Sequence, residues 1–411
     1  MRIEVLNTGT ELLLGNTLNT HGGWFGRQLF TMGLRVERQT TVPDGDAIRE
    51  AFEEMVVRAD VLLITGGLGP TSDDLTREIV AETLGLELHQ DEQALRTLEG
   101  FFLLRGKAMV PANLRQALVP TGADVLPNPN GTAPGLYLPP RINGLSNCAV
   151  FLLPGPPREL YPMFHEEVAP RLRAISGETS AAAVCELKFT GIGESDFHHG
   201  IDAQLAATDG LEYGYCARIG EVDLRLIGEE EAIAAARSLV LGKFSKYLIS
   251  DDGSSLEATV IRLLEEKGLK LATAESCTGG LIANRLTNVA GASEVFTHGW
   301  ITYANQAKTA QLHVPAETIN TNGAVSEQTA RAMAEGALRE SGADFAISVT
   351  GIAGPGGGTE GKPVGTAWLG LAVRGGETIA RKVYHPHNRK DFKQSVSQSA
   401  LDLIRRQVVG A

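Results

Sequence analysis

Short apolar runs that end in glycine-rich or polar loops constrain this chain more than any other feature. Ile3–Leu6, Val61–Thr65 and Val150–Leu153 are continuous and β-prone, too short for helices, and lack the alternation of a half-exposed strand. Between the first two, Ala47–Arg58 carries Ile48, Phe52, Met55 and Val56 at helical spacing, with Asp44 or Asp46 as the expected cap. Buried strands alternating with amphipathic helices predict a doubly wound α/β sandwich over the N-terminal part. Such sheets bind ligands in the crevice at their carboxyl ends, so the loops there are the places to look for chemistry.

The alternation changes along the chain. Small and polar residues around 170–182 read as a linker, and 141–147 as a turn between strands. Residues 183–248 read as strand, helix, two strands and helix, with charged and apolar residues alternating through Val222–Ile227. A second linker is expected at 249–254, followed by helix 255–267, strand 269–273, helix 326–341, strands 344–349 and 366–373, and a helix from about 390. The expected α/β organisation is therefore three parts: 1–172, a small α+β module at 180–250, and an α/β domain at 253–411.

Composition excludes some classes. The 411 residues are 43% hydrophobic and 21% charged, as in a protein with real cores. A net charge of −12 argues against general nucleic-acid binding, while backbone nests can still hold a phosphate. Cys148, Cys185, Cys216 and Cys277 form no C-x-x-C pair, so neither a zinc site nor a disulfide framework is indicated. The chain opens straight into a strand without a signal-type segment, and no apolar run approaches spanning length, so a cytoplasmic protein is expected.

Residues 274–280, A-E-S-C-T-G-G, lie where a strand turns into a helix carrying Leu281, Ile282 and Leu286. Ser276 at such a turn, with Gly279 and Gly280 expected in the first helical turn, would sit beside free backbone N–H groups able to hold an anion or an oxyanion. Three further runs are read as ending strands: I-T-Y-A-N-Q-A-K at 301–308, G-A-V-S at 323–326, and T-G-I-A-G-P-G-G-G at 350–358 with K-P-V-G-T at 362–366. Lys308 can serve as base if burial lowers its pKa, and Tyr303 can relay or donate a proton. Ser276 is equally suited to capping the helix, Lys308 to binding a phosphate, and Cys277 to nucleophilic attack; spacing alone leaves Ser276 and Cys277 close. The G-x-S-x-G elbow is absent, since Ala274 and Thr278 occupy the glycine positions, and neither His298 nor His313 completes a triad.

Residues 65–74, T-G-G-L-G-P-T-S-D-D, follow a strand. The amides of Gly66, Gly67 and Gly69, with Thr71, suit phosphate, and Asp73 or Asp74 suits a divalent cation; the alternative is that the acids cap a helix from about Leu75. G-T-A-P-G at 131–135 supplies Gly131 and Thr132, L-P-G-P-P-R-E at 153–159 supplies Gly155, Pro156 and Glu159, and G-T-E-L-L-L-G-N at 9–16 supplies Glu11 and Asn16.

Taken together these motifs resemble the CinA family along the whole chain. For 253–411 the resemblance implies hydrolysis of the amide of nicotinamide mononucleotide (NMN) to nicotinate mononucleotide and ammonia. It also points to a serine–lysine pair, here Ser276 and Lys308, with Thr278, Gly279, Gly280, Thr350, Gly351 and Gly354 at the substrate. For the N-terminal part it implies the molybdopterin-binding fold and a metal-dependent ADP-ribose pyrophosphatase giving AMP and ribose 5-phosphate, with Mg²⁺, Mn²⁺ or Co²⁺ on Asp73 and Asp74. The middle part would be KH-like, but Gly191-Ile192-Gly193-Glu194 lacks the G-x-x-G clamp, so a scaffold or dimer element is expected instead of a nucleic-acid binder. His198 and His199 are read as surface residues, and His385 and His387 as sharing a strand face without a third ligand. Expected partners are the two nucleotides and a second copy of the chain, with no membrane or nucleic acid; the deamidase needs no cofactor. Two other readings stand beside this one: a non-catalytic interaction protein linked to competence or DNA damage, and a pterin-binding protein of molybdenum-cofactor biosynthesis.

Overall fold

The computed structural model describes residues 1–142, 144, 147–177 and 183–410. The chain divides into two compact units, Met1–Ala181 and Ala182–Ala411. The core of the expected 170–182 linker, 178–182, and part of the 141–147 turn lie outside the described residues; 170–176 belongs to the helix Ala169–Ser176. No helix among the described residues is long and apolar enough to cross a membrane.

The first unit is built on a six-stranded sheet in the order Val36–Val42, Ile3–Thr8, Val61–Thr65, Ala149–Leu153, Gly135–Leu138, Asp124–Leu126. The first four strands are parallel; Gly135–Leu138 pairs antiparallel with Ala149–Leu153, and Asp124–Leu126 antiparallel with Gly135–Leu138. Side chains alternate between the two faces of a strand, and both faces are covered, which is why these runs are apolar throughout. Ile3, Val5, Val61, Leu63, Phe151 and Leu153 enter one core, while Leu6, Leu62, Ile64, Val150 and Leu152 enter the other.

The second unit holds two sheets. One is antiparallel, ordered Glu212–Arg218, Glu221–Gly228, Ala183–Thr190, Leu248–Ser250. Its last strand occupies part of the expected 249–254 linker. The other has five strands, ordered Phe296–Ile301, Leu271–Glu275, Phe345–Gly351, Thr366–Val373, Ile379–Tyr384. Its first three strands are parallel; Thr366–Val373 pairs antiparallel with Phe345–Gly351, and Ile379–Tyr384 antiparallel with Thr366–Val373. Helices Leu256–Glu266 and Arg389–Val409 pack on one face through Val260, Leu264, Val396 and Ile404. Helix Glu327–Ser341 packs on the other, against the small residues Ala272, Ala274 and Ala346.

Several local expectations need correction. The early helix spans Asp46–Val56 with no side-chain cap; the Asp44 carboxylate accepts instead from the Thr10 amide and hydroxyl, both at 3.0 Å. The G-A-V-S run does not end a strand: it follows the helix Ala316–Asn322, and Ser326 caps the next one. His385 and His387 lie just beyond the strand Ile379–Tyr384.

Candidate functional site

In both parallel regions the central strand has one neighbour on each side reached by crossovers in opposite directions. The carboxyl end of such a strand is the switch point at which open α/β sheets form their crevice. Those strands are Ile3–Thr8 and Leu271–Glu275.

Ser276 follows the second of these directly. Its amide donates to the Val349 carbonyl at 3.0 Å, and the Thr302 amide donates to the Glu275 carbonyl at 2.8 Å, so three strand ends are held in register. The strand Phe296–Ile301 then delivers the helix Asn305–Leu312, which carries Lys308. Lys308 Nζ lies 3.1 Å from Ser276 Oγ, 2.8 Å from the Thr302 carbonyl and 3.3 Å from the Tyr303 carbonyl. Lys308 is only 1% exposed and makes no ion pair among the described residues. Burial pulls its amine below the ordinary lysine value, against a smaller opposing pull from the Cys277 sulfur. A neutral amine has two hydrogens and one lone pair. Protonated, the group donates to all three oxygens; neutral, it donates to the two carbonyls and can accept the Ser276 hydroxyl proton.

The donors are not where the turn geometry suggested. Gly279 and Gly280 both have positive φ and form the turn itself; the helix begins at Leu281. The buried Glu275 carboxylate accepts from the amides of Gly280, Ile282 and Ala283 at 2.9, 3.1 and 2.8 Å. It thereby caps the helix, and those amides are spent. The amides of Cys277 and Thr278, immediately after the serine, donate to no carbonyl or carboxylate among the described residues. Two consecutive N–H groups beside a nucleophile are the kind of donors an oxyanion hole requires. The capping role expected for Ser276 thus belongs to Glu275. Burial pushes the Cys277 thiol up to about 12, which disfavours the thiolate that nucleophilic attack needs.

The remaining expected residues have mixed placements. The Thr278 hydroxyl is fully buried and has no hydrogen-bond partner among the described residues. The Thr350 hydroxyl donates to the Ala324 carbonyl at 2.7 Å. Gly351 leaves room for the Cys277 sulfur, which would lie 3.0 Å from a Cβ there. The Tyr303 side chain is 60% exposed, and its hydroxyl accepts from Arg389 at 2.7 Å. Arg389 also donates to the Gly354 carbonyl at 3.0 Å. Lys393 Nζ would lie 3.6 Å from a Cβ on Gly279. Sequence reading missed Arg389 and Lys393; their spacing at i and i+4 on one helix was the available signal.

At the other switch point a cleft of about 540 Å³ opens between the strand ends. Glu11, Gly66, Gly67, Gly69, Asp73, Asp74, Thr132, Gly155, Pro156 and Glu159 line it. Gly66 is indispensable sterically, since a Cβ there would lie 2.4 Å from the Thr8 carbonyl. Asn16, Thr71 and Gly131 do not line the cleft. Thr71 donates its amide to Asp74 Oδ2 at 2.9 Å, and its hydroxyl points to the same oxygen. Asp74 therefore ties the loop instead of capping the helix Thr76–Thr83, which has no side-chain cap. Gly131 makes space for the Glu159 carboxylate, which Asn128 holds at 2.9 Å. Sequence reading also missed a polar wall: Asn7 donates to Thr65 Oγ1 at 2.7 Å, Asn19 to Asn7 Oδ1 at 3.0 Å, and His21 Nδ1 lies 3.0 Å from the same Thr65 hydroxyl. Burial lowers the His21 pKa, against a smaller upward pull from the Gly155 backbone. Among the described residues no three His, Cys, Asp or Glu side chains converge as ligands. Asp73 and Asp74 still suit an ion of the Mg²⁺ type, which is held by one or two carboxylates and completed by water and phosphate oxygens.

Fold and site define a multidomain α/β protein with a cleft at the switch point of its first unit and a buried serine–lysine pair at that of its second. Residues 4–174 match the family described as probable molybdopterin binding domain, and 253–408 match the CinA C-terminal domain. A CinA-like protein of Akkermansia muciniphila is 49% identical over 98% of this chain and 96% of its own length. A putative competence-damage inducible protein of Caldicellulosiruptor bescii is 45% identical over the full length of both. The crystal structure of a competence/damage inducible protein from Agrobacterium tumefaciens is 46% identical over 36% of this chain and 90% of that one, with a TM-score of 0.36. The chain belongs to the CinA family.

Proposed function

We propose that this protein is a bifunctional nucleotide hydrolase. The observation that carries the reading is the buried Ser276–Lys308 pair, 3.1 Å apart and followed by two backbone amides that donate to no carbonyl or carboxylate among the described residues. The second unit hydrolyses the amide of NMN. Neutral Lys308 takes the Ser276 hydroxyl proton as Oγ attacks the carboxamide carbon. The Cys277 and Thr278 amides receive the negative oxygen. Collapse breaks the C–N bond, and the lysine returns its proton to the departing nitrogen, releasing ammonia. Water, deprotonated by the same amine, then cleaves the acyl ester to give nicotinate mononucleotide and free Ser276. Arg389 and Lys393, cations at the edge of the site, suit the substrate phosphate.

The cleft of the first unit hydrolyses ADP-ribose. The amides of its glycine loops and the carboxylates of Asp73 and Asp74 face one volume of nucleotide size. A divalent ion on those carboxylates would neutralise diphosphate charge. The chain's own residues bind and orient: the loop amides hold phosphates, and the wall built from Asn19 and His21 offers polar groups to the sugar or base. The protein would act in recycling pyridine nucleotides, as a cytoplasmic homodimer.

The test is to incubate the protein with each nucleotide, with and without divalent metal, and measure ammonia and AMP. Ser276→Ala should abolish ammonia release and leave ADP-ribose cleavage intact. Unchanged ammonia release in that variant would sink the deamidase reading.

A further inference from the structure

We propose that a third cleft, lying within the second unit between its four-stranded and five-stranded sheets, binds the phosphate group of a small phosphorylated metabolite. The cleft encloses about 390 Å³ and shares none of its lining with the serine site. That volume is within the range of sites for nucleotide-sized ligands.

Its walls come from both sheets. One side is formed by the turns at Gly191 and Gly220 and by Tyr247. The other is formed by Arg381 and Val383, alternate residues of the strand Ile379–Tyr384 that share a face, by His385 just beyond it, and by the helix carrying Arg406. The walls are fixed to each other. Gln398 donates to Glu221 at 2.8 Å, and a Cβ on Gly220 would lie 2.9 Å from Gln398 Cγ.

The charge balance is positive. Asp402 is the one carboxylate among the lining residues, and it is already shared by Arg405 and Arg406, each with a nitrogen at 2.7 Å. Arg406 uses its Nε there, and its terminal nitrogens have no hydrogen bond among the described residues. Gly191, at φ 77°, admits one of them, which would be 3.1 Å from any Cβ there. Arg381 has neither ion pair nor side-chain hydrogen bond among the described residues. His385 and His387 stack with centroids 6.3 Å apart, and His385 Nε2 is 3.0 Å from Ser399 Oγ. Donors that converge from a strand, a loop and a helix suit a tetrahedral phosphate better than a planar carboxylate, and guanidinium forks match its oxygens.

The two histidines report on the site directly. In the full-length protein their ring signals can be followed by NMR and assigned with His385→Gln and His387→Gln. AMP, ribose 5-phosphate and inorganic phosphate would each be titrated at constant ionic strength against chloride. We expect saturable shifts of both signals with a phosphorylated metabolite, no saturation with chloride, and affinity at least tenfold weaker in Arg381→Glu. Signals insensitive to both metabolites, an equal response to chloride, or unchanged affinity in Arg381→Glu would overturn the proposal. A response to inorganic phosphate alone would overturn the metabolite and leave only a site for the free anion. Ser276→Ala serves as background, so the outcome is independent of the deamidase reading.

Discussion

Lys308→Arg isolates the proton-acceptor role from charge. The native amine is buried against three oxygens at 2.8 to 3.3 Å, and only its neutral form offers a lone pair to Ser276. Arginine keeps the positive charge but stays protonated at any working pH. Loss of a positioned general base costs about 10²- to 10⁴-fold in rate, or about 3 to 5 kcal/mol of barrier. The assay is steady-state ammonia release from NMN beside calorimetric NMN binding, with circular dichroism to confirm folding. The expected result is a kcat lowered by at least two decades with Kd within a few-fold, because the phosphate contacts proposed for Arg389 and Lys393 are untouched. Native kcat/KM should rise with pH and level off below the ordinary lysine pKa, since burial lowers that of Lys308. The same shift predicts a stability signature. Between the folded and unfolded pKa values the unfolded chain holds one more proton, so native stability rises with pH through that window. Lys308→Met should flatten this rise. An arginine variant retaining more than a tenth of native kcat would refute the base assignment and make Lys308 a binding residue.

Cys277→Ala should keep substantial deamidase activity, because the thiol it removes is held near 12 and remains protonated; a dead but folded variant would move the nucleophile to sulfur. Asp73→Asn with Asp74→Asn should remove metal-dependent ADP-ribose hydrolysis, measured as AMP, and spare ammonia release; full AMP production would exclude the carboxylates as metal ligands. Gly370→Ala should destabilise the protein by about 1–3 kcal/mol in denaturant unfolding, as overpacking does. A Cβ there would lie 2.4 Å from the Ala330 carbonyl and 2.6 Å from Ser348 Oγ, and neutrality would mean the helix Glu327–Ser341 can shift outward.

What the sequence revealed and what it hid divide along a physical line. The buried strands Val61–Thr65 and Thr366–Val373 were legible because burial on both faces demands unbroken apolar runs of strand length. The middle module's order of strand, helix, two strands and helix was legible from period alone. Contacts between distant segments were not. Ser276 and Lys308 are 32 residues apart, and only the register of Phe296–Ile301 against Leu271–Glu275 brings them together. Glu275 was the decisive omission. An acid at the end of a buried strand resembles any charged residue at a strand boundary, and nothing local says that its carboxylate folds forward onto three helix amides. That single cap decides the chemistry of the turn. It consumes the helix N-terminus, leaves the amides of Cys277 and Thr278 as donors without a carbonyl or carboxylate partner among the described residues, and frees the Ser276 hydroxyl from capping so that it can meet Lys308. Glu275→Gln should therefore damage more than stability. Its amide nitrogen cannot accept a hydrogen bond, so at least one amide of Gly280, Ile282 or Ala283 loses its partner. Ser276 Oγ and the unpartnered Thr278 hydroxyl are then the hydroxyls of the turn that can cap it, the first at the expense of Lys308. Ammonia release should fall by tenfold or more in a variant that still folds. Native kcat with lowered thermal stability would show that Glu275 merely holds the helix.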